Sequence, residues 1–254
     1  MSGRIASLYR YPVKGFTPER QEAVILTEGG YFPCDRLFAV ENGPSGFDPD
    51  APVFIPKTRF TVLAQIPKVA QARTAYDEET GVLQVVANDQ APFSGSLLTD
   101  EGRGGFTDWL TAFLDPDDIR GPLKVLAAPP HRFTDSSKGF VSVVNLASVA
   151  DLGAKLGRHL DPLRFRANLY VEGWPAWSEL EQPEGAHVRL GPVITEVLKP
   201  IVRCVATHVD PDSGARDIEI VPALRDLYGH LYCGLYLNVI QGGRVCEGDP
   251  AELV

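Results

Sequence analysis

The sequence predicts a mainly β, barrel-like fold with a few helices, not a doubly wound sheet. Three observations predict it. Short β-branched runs alternate with period two, 24 glycines and 21 prolines punctuate the chain, and few stretches carry helical periodicity. Strand patterns cover residues 4–11, 23–27 and 36–41, the first two with alternating character. Residues 62–65 and 70–76 follow, and a turn at 77–81 pairs the latter with 82–87 as a hairpin. Residues 107–114 place Trp109, Leu110, Phe113 and Leu114 on one helical face ahead of Asp115-Pro116. The glycine-rich run 102–105 before them reads as a flexible loop. A longer helix is expected over 145–160, with Leu146, Val149, Leu152, Leu156 and Leu160 at helical spacing behind an Asn145 cap. A short helix is expected to begin at Pro222.

The C-terminal third returns to short strands at 188–190, 193–198, 201–209, 217–221 and 235–241. Gly242-Gly243 is expected to turn tightly into a last strand at 244–247. Residues 43–52 and 115–130 are the expected loops. The second divides the chain into an N-terminal β-barrel domain, residues 1–125, and a C-terminal β-barrel domain, residues 126–254.

Composition narrows the function classes. The 254 residues are 44% hydrophobic and 22% charged, ordinary for a globular protein with a proper core. A net charge of −9 without any block of Lys and Arg argues against a nucleic-acid partner. A few arginines in a cleft can still bind a small anion. No apolar run is long enough to span a membrane. Residues 1–10 lack the apolar core of a signal peptide, so a cytoplasmic protein is expected. The four cysteines, Cys34, Cys204, Cys233 and Cys246, form no Cys-x-x-Cys pair and are expected as thiols. The ordinary role of such a thiol is a small buried hydrophobe.

Familiar chemical motifs fail in turn. There is no P-loop, no Gly-x-Gly-x-x-Gly after a strand and no Gly-x-Ser-x-Gly elbow. Cys204-x-x-x-His208 and His230-x-x-Cys233 could contribute zinc ligands, and a spacing of four puts Cys204 and His208 on one face of a strand. The pairs match no familiar zinc spacing. What remains is a scattered set of Lys14, Arg36, Ser136, Ser137, Arg166 and Cys204. Singly, each has a bland explanation as a turn-end lysine, a surface ion pair or a buried thiol.

Jointly they carry a resemblance. The run Ser7-Leu8-Tyr9-Arg10-Tyr11-Pro12-Val13-Lys14-Gly15, then Gly29-Gly30 and Asp35-Arg36-Leu37-Phe38-Ala39-Val40, resembles the N-terminal β-barrel domain that accompanies MOSC domains. Downstream stand Phe133-Thr134-Asp135-Ser136-Ser137, Asn145-Leu146-Ala147-Ser148, Arg164-Phe165-Arg166-Ala167-Asn168-Leu169 and Val202-Arg203-Cys204-Val205. With Gly248-Asp249 near the end, they resemble in order and spacing the amidoxime-reducing component family of the MOSC superfamily. The resemblance covers nearly the whole chain.

The resemblance implies a molybdenum cofactor, a pterin whose dithiolene sulfurs hold the metal and whose tail ends in a phosphate or nucleotide. It makes Cys204 the protein ligand to the metal and the catalytic centre, a place that suits a soft thiolate. Arg203 beside it favours the thiolate form. The anionic tail falls to Lys14, Arg36 and Arg166, whose guanidinium groups can grip a phosphate. Asp135, Ser136, Ser137 and Arg203 complete the implied cofactor-binding set.

The implied activity is reduction of small N-hydroxylated compounds. No four-cysteine set for an iron–sulfur cluster is present. Electrons are therefore expected from an external ferredoxin-like or cytochrome b5-like protein and its reductase. The alternative is a cofactor-binding carrier or sulfur-delivery protein without redox turnover. This sequence departs from the family pattern at Gly15, where serine is usual, at Ala167, where proline is usual, and at His208, where threonine is usual.

Overall fold

The computed structural model describes residues 1–135 and 140–254. The chain opens with β1 (Ser2–Arg10), β2 (Glu19–Gln21), β3 (Ala23–Leu26) and β4 (Phe38–Asn42). A small sheet of β5 (Arg73–Tyr76), β6 (Val82–Ala87) and β7 (Gln90–Ser96) precedes α1 (Asp100–Phe113) and β8 (Leu123–Ala127). Then come β9 (Val141–Asn145), α2 (Leu146–Lys155), β10 (Leu169–Glu172), β11 (His187–Leu190) and β12 (Val193–Val202). The chain ends with α3 (Ile220–Tyr228), β13 (Tyr232–Gln241), β14 (Gly243–Cys246) and β15 (Pro250–Leu253).

The largest sheet runs β10-β9-β13-β12-β11-β15-β1-β2, and β1 also pairs with β10, so it closes into a barrel. Its opening strand thus comes from the N-terminus. Period-two alternation fills the interior: Val141 and Val143, Leu169 and Val171, Leu235 and Leu237 all point into one core. The opposite faces of β9 and β10 present Val144 and Tyr170 to α2 and α3, which is why β9 is buried along its whole length. β9 and β10 run parallel, joined across α2. A second core, around Phe16, Phe38, Leu83, Phe106 and Leu110, gathers β4, β6 and α1. No helix among the described residues is long and apolar enough to cross a membrane.

The barrel-dominated fold agrees with the sequence expectation, as do the β5–β6 hairpin and the Asn145 cap, whose Oδ1 accepts from Ala147 N at 3.0 Å. Several local expectations are corrected. The glycine run 102–105 lies inside α1, which starts at Thr99 through a bond from Gly102 N to Thr99 Oγ1. A Cβ on Gly102 would collide with the Ser96 backbone, so glycine here permits packing and does not signal a loop. Residues 62–65 form a turn in which Gln65 N and Ile66 N both donate to Val62 O. The predicted strand 201–209 stops at Val202, being the end of the long β12. Residues 217–221 pair with no strand; they lead into α3, which begins before Pro222. Within the expected loop 115–130, β8 pairs with β4. Gly242-Gly243 makes no hairpin, because β14 pairs with β3. Gly242 lets the chain cross there, since a Cβ would come within 2.6 Å of Leu26 O.

Candidate functional site

One cleft gathers side chains from both ends of the sequence. Lys14, Gly15, Arg36 and Lys57 line it together with Asp135, Arg166 and Cys204. Ser142, Arg164, Arg203 and Tyr236 also line its walls. Asp135 is the carboxylate among them, so the lining is strongly cationic in a chain of net charge −9.

Lys14 reaches the cleft from the loop after β1. Its Nζ donates to Phe133 O at 2.8 Å and to Asp135 Oδ1 at 2.6 Å. Lys57 Nζ stands 3.6 Å from the other oxygen, Asp135 Oδ2. Burial works against ionisation of Asp135, but Lys14, Lys57 and Arg36 outweigh it and hold its pKa down to about 2. Burial lowers the Lys14 pKa, and Asp135 offsets this only in part. Lys57 is also desolvated, yet the charge of Asp135 and the nearby Cys204 raise its pKa.

Arg36 and Arg166 both stand in the left-handed backbone region, with φ of 50° and 52°. Non-glycine residues adopt that region at a cost, and such strain concentrates at functional sites. In both, the guanidinium packs on the fully buried Tyr11 ring, at 4.3 and 4.5 Å from its centroid. Arg36 pairs with Asp35 and donates to Arg166 O at 3.2 Å. Arg166 has no ion-pair partner among the described residues; its NH2 donates to Phe16 O at 2.8 Å. Burial pushes the Arg166 pKa down, Tyr11 opposes this, and Arg36 adds to the depression.

Arg203 serves differently. Its three guanidinium nitrogens donate to carbonyls, Nε and NH2 to Cys233 O and NH1 to Phe165 O. Gly234, with φ of 80°, leaves room for that approach. Arg203 therefore braces the strand end that presents Cys204. Thr207 closes the turn beyond, donating from N and Oγ1 to Cys204 O at 3.0 and 2.9 Å. Cys204 is half-buried, while Cys34 and Cys233 are buried with thiols pushed up to about 12 by desolvation.

Of the residues singled out from sequence, Lys14, Arg36, Asp135, Arg166, Arg203 and Cys204 meet at this cleft. Ser136 and Ser137 lie outside the described residues. Cys204 and His208 do not share a strand face: they bracket a 3-10 turn, and His208 Nε2 accepts from Val221 N. No group of three His, Cys, Asp or Glu able to hold a metal occurs among the described residues. The departure at Gly15 has a local cause, since its φ is +90° and a Cβ would meet the Val62 backbone at 2.7 Å. Lys57 escaped the sequence reading. It sits in an exposed Pro56-Lys57-Thr58-Arg59 run with no motif, and only the folded chain brings it to Asp135 and Cys204.

Comparison with known proteins follows the same outline. The MOSC N-terminal beta barrel domain family matches residues 2–115, and the MOSC domain family matches residues 130–252. The chain is similar to mitochondrial amidoxime-reducing component 1 of Mus musculus, with 31% identity over 124 residues. That match covers 44% of this chain and only 36% of the mouse protein's length. Similarity to mitochondrial amidoxime reducing component 2 of Bos taurus is 23% identity over 297 residues, covering 98% of this chain and 82% of the bovine one. Among solved structures, the YUAD protein of Bacillus subtilis is similar with a TM-score of 0.45 and 12% identity, over 99% of this chain and 94% of that one.

Proposed function

We propose a function from one premise: the chain belongs to the MOSC-domain family and is homologous to the mitochondrial amidoxime-reducing components. It is a cytoplasmic molybdenum-cofactor oxidoreductase that reduces small N-hydroxylated compounds. Electrons come from an external ferredoxin-like or cytochrome b5-like protein and its reductase. The observation that carries this reading is a half-buried thiol, Cys204, in a cleft whose other polar groups are mostly cations.

The donor set fits the cofactor. Burial disfavours the charge on Lys14 and Arg166, and Arg166 has no ion-pair partner among the described residues, so an anionic tail would stabilise both charged forms. Arg36 and Arg166, fixed on the Tyr11 ring, hold that tail, and Lys14 adds a point charge beside them. Cys204 supplies the soft ligand, held in place by Thr207 and by the Arg203 brace. The cofactor, when held by these residues, would supply the two-electron chemistry needed to reduce an N–OH group. Lys57 keeps a positive charge beside the Cys204 sulfur, and Asp135 keeps that lysine in position.

The test uses protein from a host that makes the cofactor, as wild type and Cys204→Ser. Wild type is expected to retain molybdenum, to give a Mo(V) EPR signal on partial reduction, and to reduce benzamidoxime with a chemical electron donor. Cys204→Ser is expected to lose signal and turnover while, freed of cofactor, unfolding at the same denaturant midpoint as cofactor-free wild type. Absence of the signal, together with unchanged activity in the variant, overturns the proposal. Tight cofactor binding without turnover replaces it by the carrier reading.

A further inference from the structure

Next to the cation-lined cleft lies a second one of about 300 Å³, which the reading above leaves unused. Its floor is aromatic: Phe60 and Phe133 are buried, with ring centroids 5.8 Å apart, and His131 packs edge-on to Phe133 at 5.1 Å. Its rim is Val53 and Phe54, 57% and 53% exposed on the strand-free run before Lys57. Tyr31 and Arg132 close the other side, the guanidinium carbon 5.9 Å from the Tyr31 ring centroid.

Two features indicate what this cleft takes. Arg132 Nε is buried without a hydrogen-bond partner, and Arg132 makes no ion pair among the described residues. Among the described residues its NH1 donates to the Pro130 and His131 carbonyls, at 3.3 Å each. Among the described residues no carboxylate lines the cleft. A guanidinium beside aromatic walls, with an orphaned N–H and no counter-charge, matches a planar ring that carries a negative substituent.

The two clefts share a wall. Thr134 lines both, and Phe133, in the floor of one, accepts at its carbonyl from Lys14 of the other. Ile55, a wall of the second, stands two residues before Lys57 of the first. We infer that this cleft is a subsite for aromatic anions, seating the ring of an acidic aromatic substrate while its reacting end enters the Cys204 cleft. Assigning the ring to a substrate rests on the proposed reductase reading; binding of an aromatic anion does not.

The test is equilibrium binding of 2-naphthoate to the full chain, followed by naphthalene fluorescence, with neutral 2-naphthamide as control. Phe54→Ala, a truncation of an exposed side chain, is expected to weaken both ligands. Arg132→Gln is expected to weaken naphthoate by roughly tenfold, as one charged hydrogen bond predicts, and naphthamide little. Inorganic phosphate, drawn to the Lys14 cleft, is expected to leave naphthoate binding largely intact. The inference is overturned if wild type does not bind naphthoate, or if both variants bind it as wild type does. Full displacement by phosphate with no effect of Phe54→Ala also overturns it, by placing the anion in the other cleft. Naphthoate binding by protein that retains no molybdenum leaves the subsite standing and removes the reductase reading. Benzamidoxime turnover without naphthoate binding removes only the subsite.

Discussion

Arg164 and Arg166 stand two residues apart and meet opposite surroundings. Arg164, inside the 3-10 turn Pro162–Phe165, is 3% exposed and held by two carboxylates, NH2 to Asp210 at 3.0 Å and NH1 to Asp217 at 2.8 Å. Arg166 caps the same turn in the left-handed region and turns to the Tyr11 ring and one carbonyl. The backbone switch between them sends one cation into a structural clamp and the other into a cleft. The lesson concerns charge compensation: Arg164 has its counter-ions in place, whereas Arg166 has no ion-pair partner among the described residues, which is the difference the proposed anion site rests on.

The largest effect expected from this contrast is on stability. Arg164→Ala removes the buried cation of this clamp, although Asp217 keeps Arg158 and Asp210 keeps the Ser213 N–H and hydroxyl. It is expected to cost about 2 kcal/mol, less than a fully buried pair would. Denaturant unfolding measures it. A loss below about 1 kcal/mol would show that Arg164 is no clamp and that the contrast is empty.

A smaller effect is expected at Arg166. Arg166→Gln removes a charge that burial already disfavours, so the free protein is expected to keep its stability within about 1 kcal/mol. The change falls on anion binding instead. Inorganic phosphate at ten times its Kd is expected to stabilise wild type by about 1.4 kcal/mol, seen as a raised unfolding temperature. The variant is expected to lose most of that gain. Equal phosphate stabilisation in both proteins would break the assignment of Arg166 to the anion.

The same contrast explains what could be read in the sequence. Signals that act within a few residues were legible: the Asn145 cap, the turn between β5 and β6, and the alternation along β1 and β3. Elements formed through distant packing were not. β7, written Gln90-Ala91-Pro92-Phe93-Ser94-Gly95-Ser96, has little strand propensity and exists because β6 and α1 lie against it. β8 hides in a stretch broken by proline and glycine and is a strand through β4. For the site, composition and spacing left Cys204 one thiol among four; only the family resemblance singled it out. The difference between Arg164 and Arg166, or between Arg203 braced on carbonyls and Arg36 packed on the Tyr11 ring, depends on which groups lie across the fold. Lys57 carries no local mark at all.

The smallest effect is expected at Asp135, the carboxylate of the cleft, because its side chain is 48% exposed and solvent screens its ion pairs. With its pKa held near 2 in the folded chain against an ordinary value of 3.8, Asp135 contributes stability that is complete above the ordinary value. That contribution is lost as pH falls through the folded value, because the unfolded chain takes up the proton first. Asp135→Asn is therefore expected to be less stable than wild type at neutral pH, with the gap closing between about pH 5 and pH 2. Unfolding curves of both proteins across that window, subtracted from each other, isolate this group from the remaining carboxylates. Because Lys14, Lys57 and Arg36 lose their shared counter-charge in the variant, phosphate at neutral pH is expected to stabilise it more than it stabilises wild type. A stability gap that stays constant with pH, or a variant indifferent to phosphate, would mean that these cations are already satisfied and that the cleft, like the Arg164 clamp, is structural.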